Sequence, residues 1–333
     1  MALSKPLLRL LADGHFYSGS QLGERLGCSR AAVWKMIRAL EEVGVDIFHV
    51  RGKGYRLAQP IELLDEKRIL AELPDHSRRS LAELTVRFGI DSTNSWLLER
   101  PLAKGDVARA CLAEFQRLGR GRRGRNWVSP FGGNIYLSLR YRFARGATQL
   151  GGLSLAVGVA LCEVLRAEGA VGLGLKWPND VLLDGQKLAG VLLEISGETN
   201  GPCEVVIGVG VNLRSTGLRG AAIDQPWADL ESALGRQVSR NSLAARLLHR
   251  LLETAACYDS QGFEIFRKAW EMSDILAGRE VLLKMPAGEV SGVMQGVDED
   301  GALILSLPNG ELRRFHGGEV SLRPAEPALS GHA

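Results

Sequence analysis

A nine-residue stretch combines arginine and glycine in a way that suits an anionic ligand. Residues 119–127 (GRGRRGRNW) hold four arginines and three glycines. Glycine lets a backbone pass close to a ligand, and arginine is a permanent planar cation that donates two parallel hydrogen bonds to carboxylate or phosphate. The stretch therefore predicts a loop that folds over an anion and neutralises it. A solvated basic surface loop and a nucleic-acid contact are the other interpretations of this stretch taken alone.

Polar clusters recur farther along the chain, at the expected ends of strands and helices. Residues 91–94 (DSTN) suit helix capping as well as the binding of a polar small molecule. Residues 176–180 (KWPND) are either a Pro-Asn turn or a site in which Asp180 contacts Mg²⁺ or a polar ligand. Lys187 opens an apolar strand (187–190, KLAG), and residues 208–212 (GVGVN) form a strand that ends in Asn212.

Composition places the chain among globular proteins of two or three domains. It has 333 residues, of which 45% are hydrophobic and 24% are charged, as in ordinary folded proteins. No apolar run approaches the roughly 20 residues of a membrane span, and no signal peptide is evident. The five cysteines are scattered and show no CxxC spacing. This argues against a disulfide framework and against a zinc site, and it predicts a cytoplasmic protein.

Positive charge is concentrated at the N-terminal end. The net charge of the whole chain is +3, whereas residues 1–60 alone hold nine basic and five acidic side chains, a net charge of +4. A basic segment joined to a nearly neutral body predicts contact with nucleic acid through that end only.

The basic segment is predicted to form a winged helix-turn-helix. Ser20 is expected to cap a first helix and Ser29 a second one, with a break at Gly27-Cys28 between them. A hairpin with a basic, glycine-containing tip at 51–54 follows, in the position of a wing. Because the second helix of this motif enters the major groove, the expected DNA contacts are Ser29, Arg30, Trp34, Lys35, Arg38, Arg51 and Lys53. A helical bundle that binds no DNA and a protein-docking module are the alternatives, and Trp34 suits core packing as well as DNA contact.

The rest of the chain is expected to be α+β, with helices on one face of a sheet, because strands outnumber helices and often follow one another directly. We expect strands at 84–90, 107–114, 134–141, 187–195 and 205–211, helices at 61–73, 150–168 and 243–258, and a loop at 74–80. At the C-terminal end we expect strands at 279–284, 289–297, 302–307 and 311–315. Asp300-Gly301 and Asn309-Gly310 are typical of hairpin turns.

Together these segments resemble the biotin protein ligases. Residues 91–94, 119–127, 176–180, 187–190 and 208–212 look like the family's motifs in order and spacing. The resemblance covers nearly the whole chain and is closest to the bifunctional proteobacterial members, which also repress the biotin operon. It implies three domains: a winged helix-turn-helix at 1–62, a mixed α/β catalytic domain related to class II synthetases at 63–273, and an SH3-like β-barrel at 274–333.

The resemblance also implies a two-step reaction. The carboxylate of biotin attacks the α-phosphorus of ATP, which gives biotinyl-5′-AMP and pyrophosphate. A lysine of a biotin carboxyl carrier protein then attacks the acyl group and releases AMP. This chemistry needs no nucleophile of the protein, so it depends mainly on charge neutralisation, including Mg²⁺, and on positioning.

The site residues that the resemblance implies fall into three groups. Lys187, Arg120 and Arg122 are expected to be catalytic. The expected biotin contacts are Ser92, Thr93, Asn94, Gln116, Arg120, Gly121, Arg122 and Lys187. The expected ATP or adenylate contacts are Arg122, Arg125, Trp127, Lys176, Asn179, Asp180, Asn212, Trp227 and Arg323, and Asp180 is also the expected Mg²⁺ ligand. A core position for Trp227 and a salt bridge for Arg323 are the alternatives.

A ligand-controlled switch is the last implication of the resemblance. The adenylate would act as corepressor by promoting a homodimer that binds operator DNA, and the carrier protein would compete for the dimer surface. We expect strand 134–141 and loop 143–147 to form the dimer edge by strand pairing. We expect the glycine-rich segments 129–133 and 215–221 to be mobile and to order when ligand binds. No membrane contact is expected.

Two other classes of function remain open. A ligand-sensing transcription factor without catalysis would keep a pocket but could lose Lys187 or Arg120, and both are present. A lipoyl or octanoyl ligase or transferase would share the fold. The arginine–glycine loop favours biotin over these acyl groups.

Overall fold

The structure, a computed structural model, describes residues 5–197, 201–214, 225–285 and 288–316, together with the backbone of 321–324. The segment 215–221, for which ordering by ligand was expected, lies outside the described residues, as does the side chain of Arg323. Within these ranges the strands form sheets of two, seven and five strands. No helix in the described part of the chain is both long enough and apolar enough to cross a bilayer.

The N-terminal segment contains the two predicted helices and the predicted hairpin, together with a first helix that was not anticipated. Its elements are α1 (Lys5–Leu11), α2 (Gly19–Leu26), α3 (Arg30–Glu42), β1 (Ile47–Val50) and β2 (Gly54–Leu57). Ser29 caps α3 as expected, but Ser18 rather than Ser20 caps α2. The Ser18 hydroxyl accepts from the backbone N–H of Gln21, whose side chain accepts in return from the N–H of Ser18. This reciprocal capping starts the helix two residues earlier than a cap at Ser20 would.

The connection to the next sheet differs from the expected helix 61–73 and loop 74–80. Its helices are α4 (Glu66–Glu72) and α5 (Asp75–Ser80). The chain before α4 is held by side chains instead of by helical bonds, because the N–H of Leu64 donates to Glu114 and that of Asp65 to Asn241. Residues distant in sequence therefore decide where α4 begins, and a local helical pattern could not show this.

A seven-stranded sheet forms the centre of the molecule, in the order β3-β4-β5-β9-β8-β7-β6. Its strands are β3 (Leu81–Arg87), β4 (Ala108–Ala113), β5 (Ile135–Phe143), β6 (Leu173–Lys176), β7 (Asp180–Leu183), β8 (Gln186–Gly197) and β9 (Cys203–Val211). The pairing of β3 with β4 is parallel and the other pairings are antiparallel. The five strands expected in this region are all present, with shifted ends.

Helices cover both faces of this sheet, so the expectation of helices on one face is only partly met. The helices of this region are α6 (Thr93–Leu98), α7 (Leu153–Ala167), α8 (Leu230–Leu234), α9 (Arg240–Gln261) and α10 (Glu264–Glu271). The long helices α7 and α9 share a buried core with Leu137, Ile207 and Val191. Since side chains alternate along a strand, Ser138 and Gly208 face the other side, where α6 packs in a small cluster with Val206.

The expected dimer edge at 134–141 is wrong. That segment is β5, which pairs with β4 on one side and with β9 on the other. Its backbone hydrogen-bonding groups are therefore occupied within the sheet and cannot add a strand from a second molecule. The two edges of this sheet are β3 and β6.

The C-terminal segment is a five-stranded antiparallel sheet in the order β13-β12-β11-β10-β14. Its strands are β10 (Glu280–Met285), β11 (Gly288–Val297), β12 (Leu303–Ser306), β13 (Leu312–Phe315) and β14 (Ser321–Pro324). The four expected strands are present, and β14 was not anticipated. Gly301 and Gly310 have φ angles of 80° and 81°, as tight hairpin turns require. The Trp177 indole N–H, which is buried, donates to the carbonyl of Gly301 and so ties this sheet to the central one.

A buried ion pair joins the connection, the central sheet and α9. Arg240 Nη1 lies 2.6 Å from Glu114 Oε2, and the two side chains are 4% and 2% exposed. The same guanidinium donates to the carbonyls of Glu62 and Asn134. Glu114 also accepts the N–H of Leu64 at 2.6 Å. Removal of either charge would leave its partner buried and uncompensated.

We predict that Glu114→Ala lowers the free energy of unfolding by about 3–5 kcal/mol, because it leaves the Arg240 cation without its counter-ion. Chemical and thermal unfolding would measure the loss. Glu264→Ala, which removes the exposed Arg267–Glu264 pair, is the control and should change stability by no more than about 1 kcal/mol. Equal effects of the two substitutions would show that the buried pair has no special role.

Candidate active site

A patch of the central sheet lacks side chains on the face that carries α6. Gly190 of β8 pairs directly with Gly210 of β9. A Cβ atom on Gly210 would lie 2.5 Å from Trp127 Cε2, and one on Gly190 would lie 3.0 Å from Trp127 Cζ3. One on Gly208 would overlap the side-chain amide of Asn94. Glycine at these positions therefore lets the indole of Trp127 and the amide of Asn94 lie against the sheet backbone.

The arginine–glycine loop is anchored through Trp127. The N–H of Trp127 donates to the carbonyl of Gly119 at 2.8 Å, and the N–H of Gly121 donates to the carbonyl of Arg125 at 2.7 Å. The chain turns at Arg123, a non-glycine residue with a φ of 57°. The loop is thus a closed turn fixed at its base to the glycine patch, which favours the ligand-covering interpretation over a freely solvated loop.

A network of polar side chains lies at one end of the patch. Gln116 Oε1 accepts from the N–H and the hydroxyl of Thr93, at 2.9 and 3.1 Å. Ser138 Oγ lies 2.7 Å from Thr93 Oγ1 and donates to Asn94 Oδ1 at 2.5 Å. Ser92 caps α6, as the capping interpretation expected. Thr93, Asn94, Gln116 and Ser138 are therefore oriented by one another, with Ser92 beside them at the start of α6, and the structure brings together all four predicted members of this group.

Ser138 and Glu194 belong to this network and were not predicted. Glu194 Oε2 accepts from Asn94 Nδ2 at 2.8 Å and from Arg120 Nη2 at 2.6 Å. The carboxylate thus links the arginine loop to Asn94 and fixes which end of that amide faces Ser138. The alternation of strand residues was the available signal, because it puts Ser138 and Glu194 on the same face as Gly208.

A cationic group of side chains lies at the other end of the patch. Lys187 Nζ is 2.7 Å from Asp180 Oδ1, and both side chains are 16% exposed. The ammonium also lies 5.5 Å from the centre of the Trp127 ring, within cation–π range. The Lys187 carbonyl accepts from Asn212 Nδ2 at 3.2 Å. The residues flanking Trp227 bond the Lys187 backbone through the Pro226 carbonyl and the Ala228 N–H, so Asn212 and Trp227 both come beside Lys187.

Arg122 adds a second cation near Asp180. Its Nη1 donates to Asn179 Oδ1 at 3.3 Å. Burial lowers the pKa of the Arg122 guanidinium, Asp180 acts in the opposite direction, and Arg123 lowers it further. An arginine stays charged under such influences. Two cations and one carboxylate therefore converge here, with a net positive charge suited to a carboxylate or a phosphate.

The same region fits a Mg²⁺ ion that arrives with a nucleotide. Asp180 Oδ1 is a buried acceptor whose charge faces Lys187. Magnesium in nucleotide sites takes one or two carboxylates and fills its other positions with phosphate oxygens and water. Asp180 offers one such carboxylate, and because its charge is already paired with Lys187, phosphate oxygens would have to supply most of the other ligands.

The remaining predicted ligand residues are less closely grouped. Lys176 pairs with Asp180 in the β6–β7 hairpin. The Arg125 side chain is exposed, and its carbonyl closes the loop. The backbone of Arg323 pairs with Leu282 in the C-terminal sheet. Arg123, which was not predicted as a site residue, donates to the carbonyl of Lys284 at 3.2 Å and so connects the loop to the C-terminal sheet.

The glycine-rich segment 129–133, expected to be mobile, is tied to its surroundings. Ser129 Oγ accepts from Gln116 and donates to the carbonyl of Trp127. The Tyr136 hydroxyl donates to the carbonyl of Pro130, and the N–H of Gly132 donates to that of Glu114. The segment supports the polar network in the structure as it stands.

A second candidate surface lies on the helix-turn-helix. All seven expected DNA contacts are exposed: Ser29, Arg30, Trp34, Lys35, Arg38, Arg51 and Lys53. Trp34 is 53% exposed, with the Arg38 guanidinium 5.6 Å from its ring centre. The packing alternative for Trp34 is therefore wrong. Arg30, Trp34 and Arg38 are spaced four apart on α3, with Lys35 beside them, and form one exposed stripe, as a major-groove helix would present it.

Three family models match successive parts of the chain. The HTH domain matches residues 4–56, the Biotin/lipoate A/B protein ligase family matches 88–212, and the Biotin protein ligase C terminal domain matches 277–323. The matches follow the order of the N-terminal helices, the central sheet and the C-terminal sheet.

Individual relatives agree with the family models. The bifunctional ligase/repressor BirA of Escherichia coli (strain K12) is 44% identical over 322 residues, covering 96% of this chain and 97% of the relative. The biotin–[acetyl-CoA-carboxylase] ligase of Paracoccus denitrificans is 37% identical and covers 66% of this chain and 92% of the relative. The solved biotin protein ligase of Aquifex aeolicus in complex with biotin and ATP aligns with a TM-score of 0.63 at 27% identity. That alignment covers 73% of this chain and 100% of the solved one. The chain therefore belongs to the biotin protein ligase family.

Proposed function

We propose that this chain converts biotin and ATP to biotinyl-5′-AMP, transfers biotin to a lysine of a biotin carboxyl carrier protein, and represses transcription as an adenylate-bound dimer. The observation that carries the ligase activity is the glycine patch, with a hydrogen-bonding network at one end and the Lys187–Arg122–Asp180 group at the other. A ligand with a polar ring at one end and a carboxylate at the other matches this arrangement.

The polar network would orient biotin. A ureido ring presents two N–H donors and one carbonyl acceptor, which Ser92, Thr93, Asn94 and Gln116 can match with hydroxyl and amide groups. Because Ser138 and Glu194 already fix the Asn94 amide, little reorganisation is needed on binding. Arg120 and Gly121 would close over the ring, and Trp127 would form the wall beside it.

The cationic group would promote the first step. Lys187 and Arg122 would hold the biotin carboxylate against the α-phosphate, where two anions otherwise repel. Asp180 and Asn179 would keep these cations in position, and Lys176, Arg125, Asn212, Trp227 and Arg323 would complete the nucleotide site. Mg²⁺ on Asp180 would neutralise phosphate charge. The carboxylate oxygen bonds to the α-phosphorus as pyrophosphate leaves.

In the second step, the lysine amine of the acceptor protein needs only to reach the bound adenylate. The lysine nitrogen of the carrier attacks the acyl carbon, loses a proton and displaces AMP. Water must be kept from the adenylate in the meantime, which is the role we assign to the arginine–glycine loop. Its contact with Lys284 would give the C-terminal sheet a part in holding the loop closed.

The domain assignments belong to the same proposal. We place the DNA-binding domain at 1–62, the catalytic domain at 63–273 and the C-terminal domain at 274–333. The largely antiparallel central sheet supports a relationship to class II synthetases, and the five antiparallel C-terminal strands support an SH3-like barrel. A cytoplasmic location is part of the proposal, because ATP and operator DNA, the proposed ligands, are found there.

The exposed basic stripe of α3 supports operator binding by the N-terminal domain. A dimer would present two such helices to neighbouring half-sites. Since β5 is internal, a dimer formed by strand pairing would use an edge strand, which has open backbone hydrogen-bonding groups. The loop 143–147 stays a candidate for the dimer surface. The adenylate, as corepressor, would promote this dimer, and the carrier protein would compete for the same surface.

We predict that Lys187→Ala and Arg122→Ala each lower the rate of adenylate formation on the order of 10²-fold, because each removes a cation from the reacting centre. Pyrophosphate release from biotin and Mg·ATP would measure the rate. Lys104→Ala, at an exposed lysine, is the control and should leave it unchanged. Full turnover by a folded Lys187→Ala protein would exclude the role of Lys187, and turnover with lipoate or octanoate in place of biotin would reassign the substrate.

We predict that Glu194→Gln raises the KM for biotin about five- to tenfold, because the amide keeps a hydrogen bond to Asn94 but loses the charge that holds Arg120. The KM for ATP should change much less, and steady-state kinetics at saturating co-substrate would separate the two. Glu289→Gln, in the exposed pair with Lys284, is the matched control. A parallel rise of both KM values would assign Glu194 a general structural role instead.

We predict that biotinyl-5′-AMP shifts the protein from monomer to dimer in analytical ultracentrifugation and increases its affinity for operator DNA. Arg30→Ala should weaken operator binding about tenfold and reduce its salt dependence, while biotin transfer stays unchanged. An adenylate-bound protein that remains monomeric at high concentration would refute the switch and leave the ligase activity standing.

A further inference from the structure

Three metal-ligating side chains meet between α5 and α9, away from the glycine patch. His76 lies on α5, and His249 and Glu253 lie on α9. Among the residues that the structure describes, this is the one group of three or more His, Cys, Asp or Glu side chains with ligand atoms close enough to share an ion. Helix α9 packs on the sheet face opposite α6, so the cluster is separate from the proposed ligase site.

The spacing of the ligand atoms suits a small metal ion. His249 and Glu253 are four residues apart on one helix, so their side chains share a face. Glu253 Oε1 lies 3.6 Å from His76 Nε2, and Glu253 Oε2 lies 3.6 Å from His249 Nε2. One ligand atom from each residue can be chosen so that all three lie within 4.8 Å of one another. In a tetrahedral zinc site with bonds of about 2.0–2.1 Å, ligand atoms lie roughly 3.4 Å apart, so small rotations would complete the geometry.

A hydrogen bond already orients His249 for metal binding. Its Nδ1 is 2.8 Å from the hydroxyl of Ser77, a residue that is 1% exposed. This leaves Nε2 directed at Glu253. Metal-binding histidines typically have their second ring nitrogen held in this way, which fixes the ring and the tautomer. Ser77 adjoins His76, so the same turn of α5 supplies one ligand and orients another.

Arg250 forms an ion pair with Glu253, and a metal ion would have to replace it as the partner of that carboxylate. Its Nη1 lies 3.1 Å from Glu253 Oε2. The same guanidinium also donates from Nε to Glu163 Oε2 at 2.7 Å. Arg250 therefore keeps a carboxylate partner when Glu253 turns toward the two imidazoles.

We propose that His76, His249 and Glu253 bind a divalent transition-metal ion of the Zn²⁺ class. Two imidazoles and one carboxylate are ligands that such ions accept, with water in the fourth position. The cysteine pattern argued against a zinc site, and this cluster contains no thiol. The bound ion links α5 to α9. Because α5 leads directly into β3, an edge strand of the central sheet, the ion also steadies that edge.

The test uses full-length protein freed of metal with a chelator and then titrated with ZnCl₂ in a calorimeter. We expect one Zn²⁺ per chain at this cluster and a Tm that rises with Zn²⁺ concentration, since an ion that binds only the folded state stabilises it. His76→Ala removes a side chain that is 61% exposed and should fold normally, yet it should weaken binding at least tenfold. Ser77→Ala keeps all three ligands and should weaken binding by a smaller factor.

Two controls separate this cluster from other zinc-binding groups. His15→Ala removes another exposed histidine, and Cys257→Ser removes the exposed thiol on α9. Both should retain the wild-type affinity, and His76→Ala should keep full ligase activity. Absence of Zn²⁺ binding, binding that His76→Ala leaves intact, or binding that Cys257→Ser abolishes would each overturn the proposal, whatever the outcome for the ligase.

Discussion

The absence of side chains at Gly190 and Gly210 is the constraint on which the candidate site depends. These paired glycines let the indole of Trp127 lie against the sheet, and Trp127 in turn anchors the arginine–glycine loop and faces the ammonium of Lys187. A methyl group at Gly210 would collide with the indole, so the loop would lose its base. One backbone feature therefore positions both the covering loop and the principal cation, although neither glycine has a side chain.

Charge is distributed unevenly over the patch, so the two ends of the site suit different chemical groups of a ligand. Neutral hydroxyl and amide groups occupy the end near α6, where they are oriented by one another. Cations collect at the other end, where Asp180 keeps Lys187 in place. Glu194 connects the arginine–glycine loop to the neutral end by bonding both Asn94 and Arg120. A ligand with a neutral polar head and an anionic tail can enter in one orientation only, which is the selectivity that an acyl-activating enzyme needs.

The three sequence segments are connected at points close to the site. Phe115 adjoins Gln116 and packs with Phe131, whose ring centre is 5.9 Å away, in the same cluster as the core of the helix-turn-helix. Arg240 ties the connection after that unit to Glu114. On the other side, Trp177 bonds Gly301 and Arg123 bonds Lys284. The polar network and the loop are therefore connected by direct contacts to both the DNA-binding unit and the C-terminal sheet.

The sequence by itself determined the kinds of elements and the chemistry of the site, because these depend on local pattern. The helix-turn-helix and most of the strands were readable from spacing and residue type, although β6, β7 and β14 were not anticipated. The residue types suited to an anion were readable in the same way, and the roles of the site residues came from the resemblance to the biotin protein ligases. The tertiary structure decided what depends on distant partners. It places β5 inside the sheet, which removes the expected dimer edge. It also starts α4 late through Glu114 and Asn241, and adds Ser138 and Glu194 to the site. The sequence pattern does not show which strands pair or which residues far apart in the chain make contact. Only the folded structure shows these contacts.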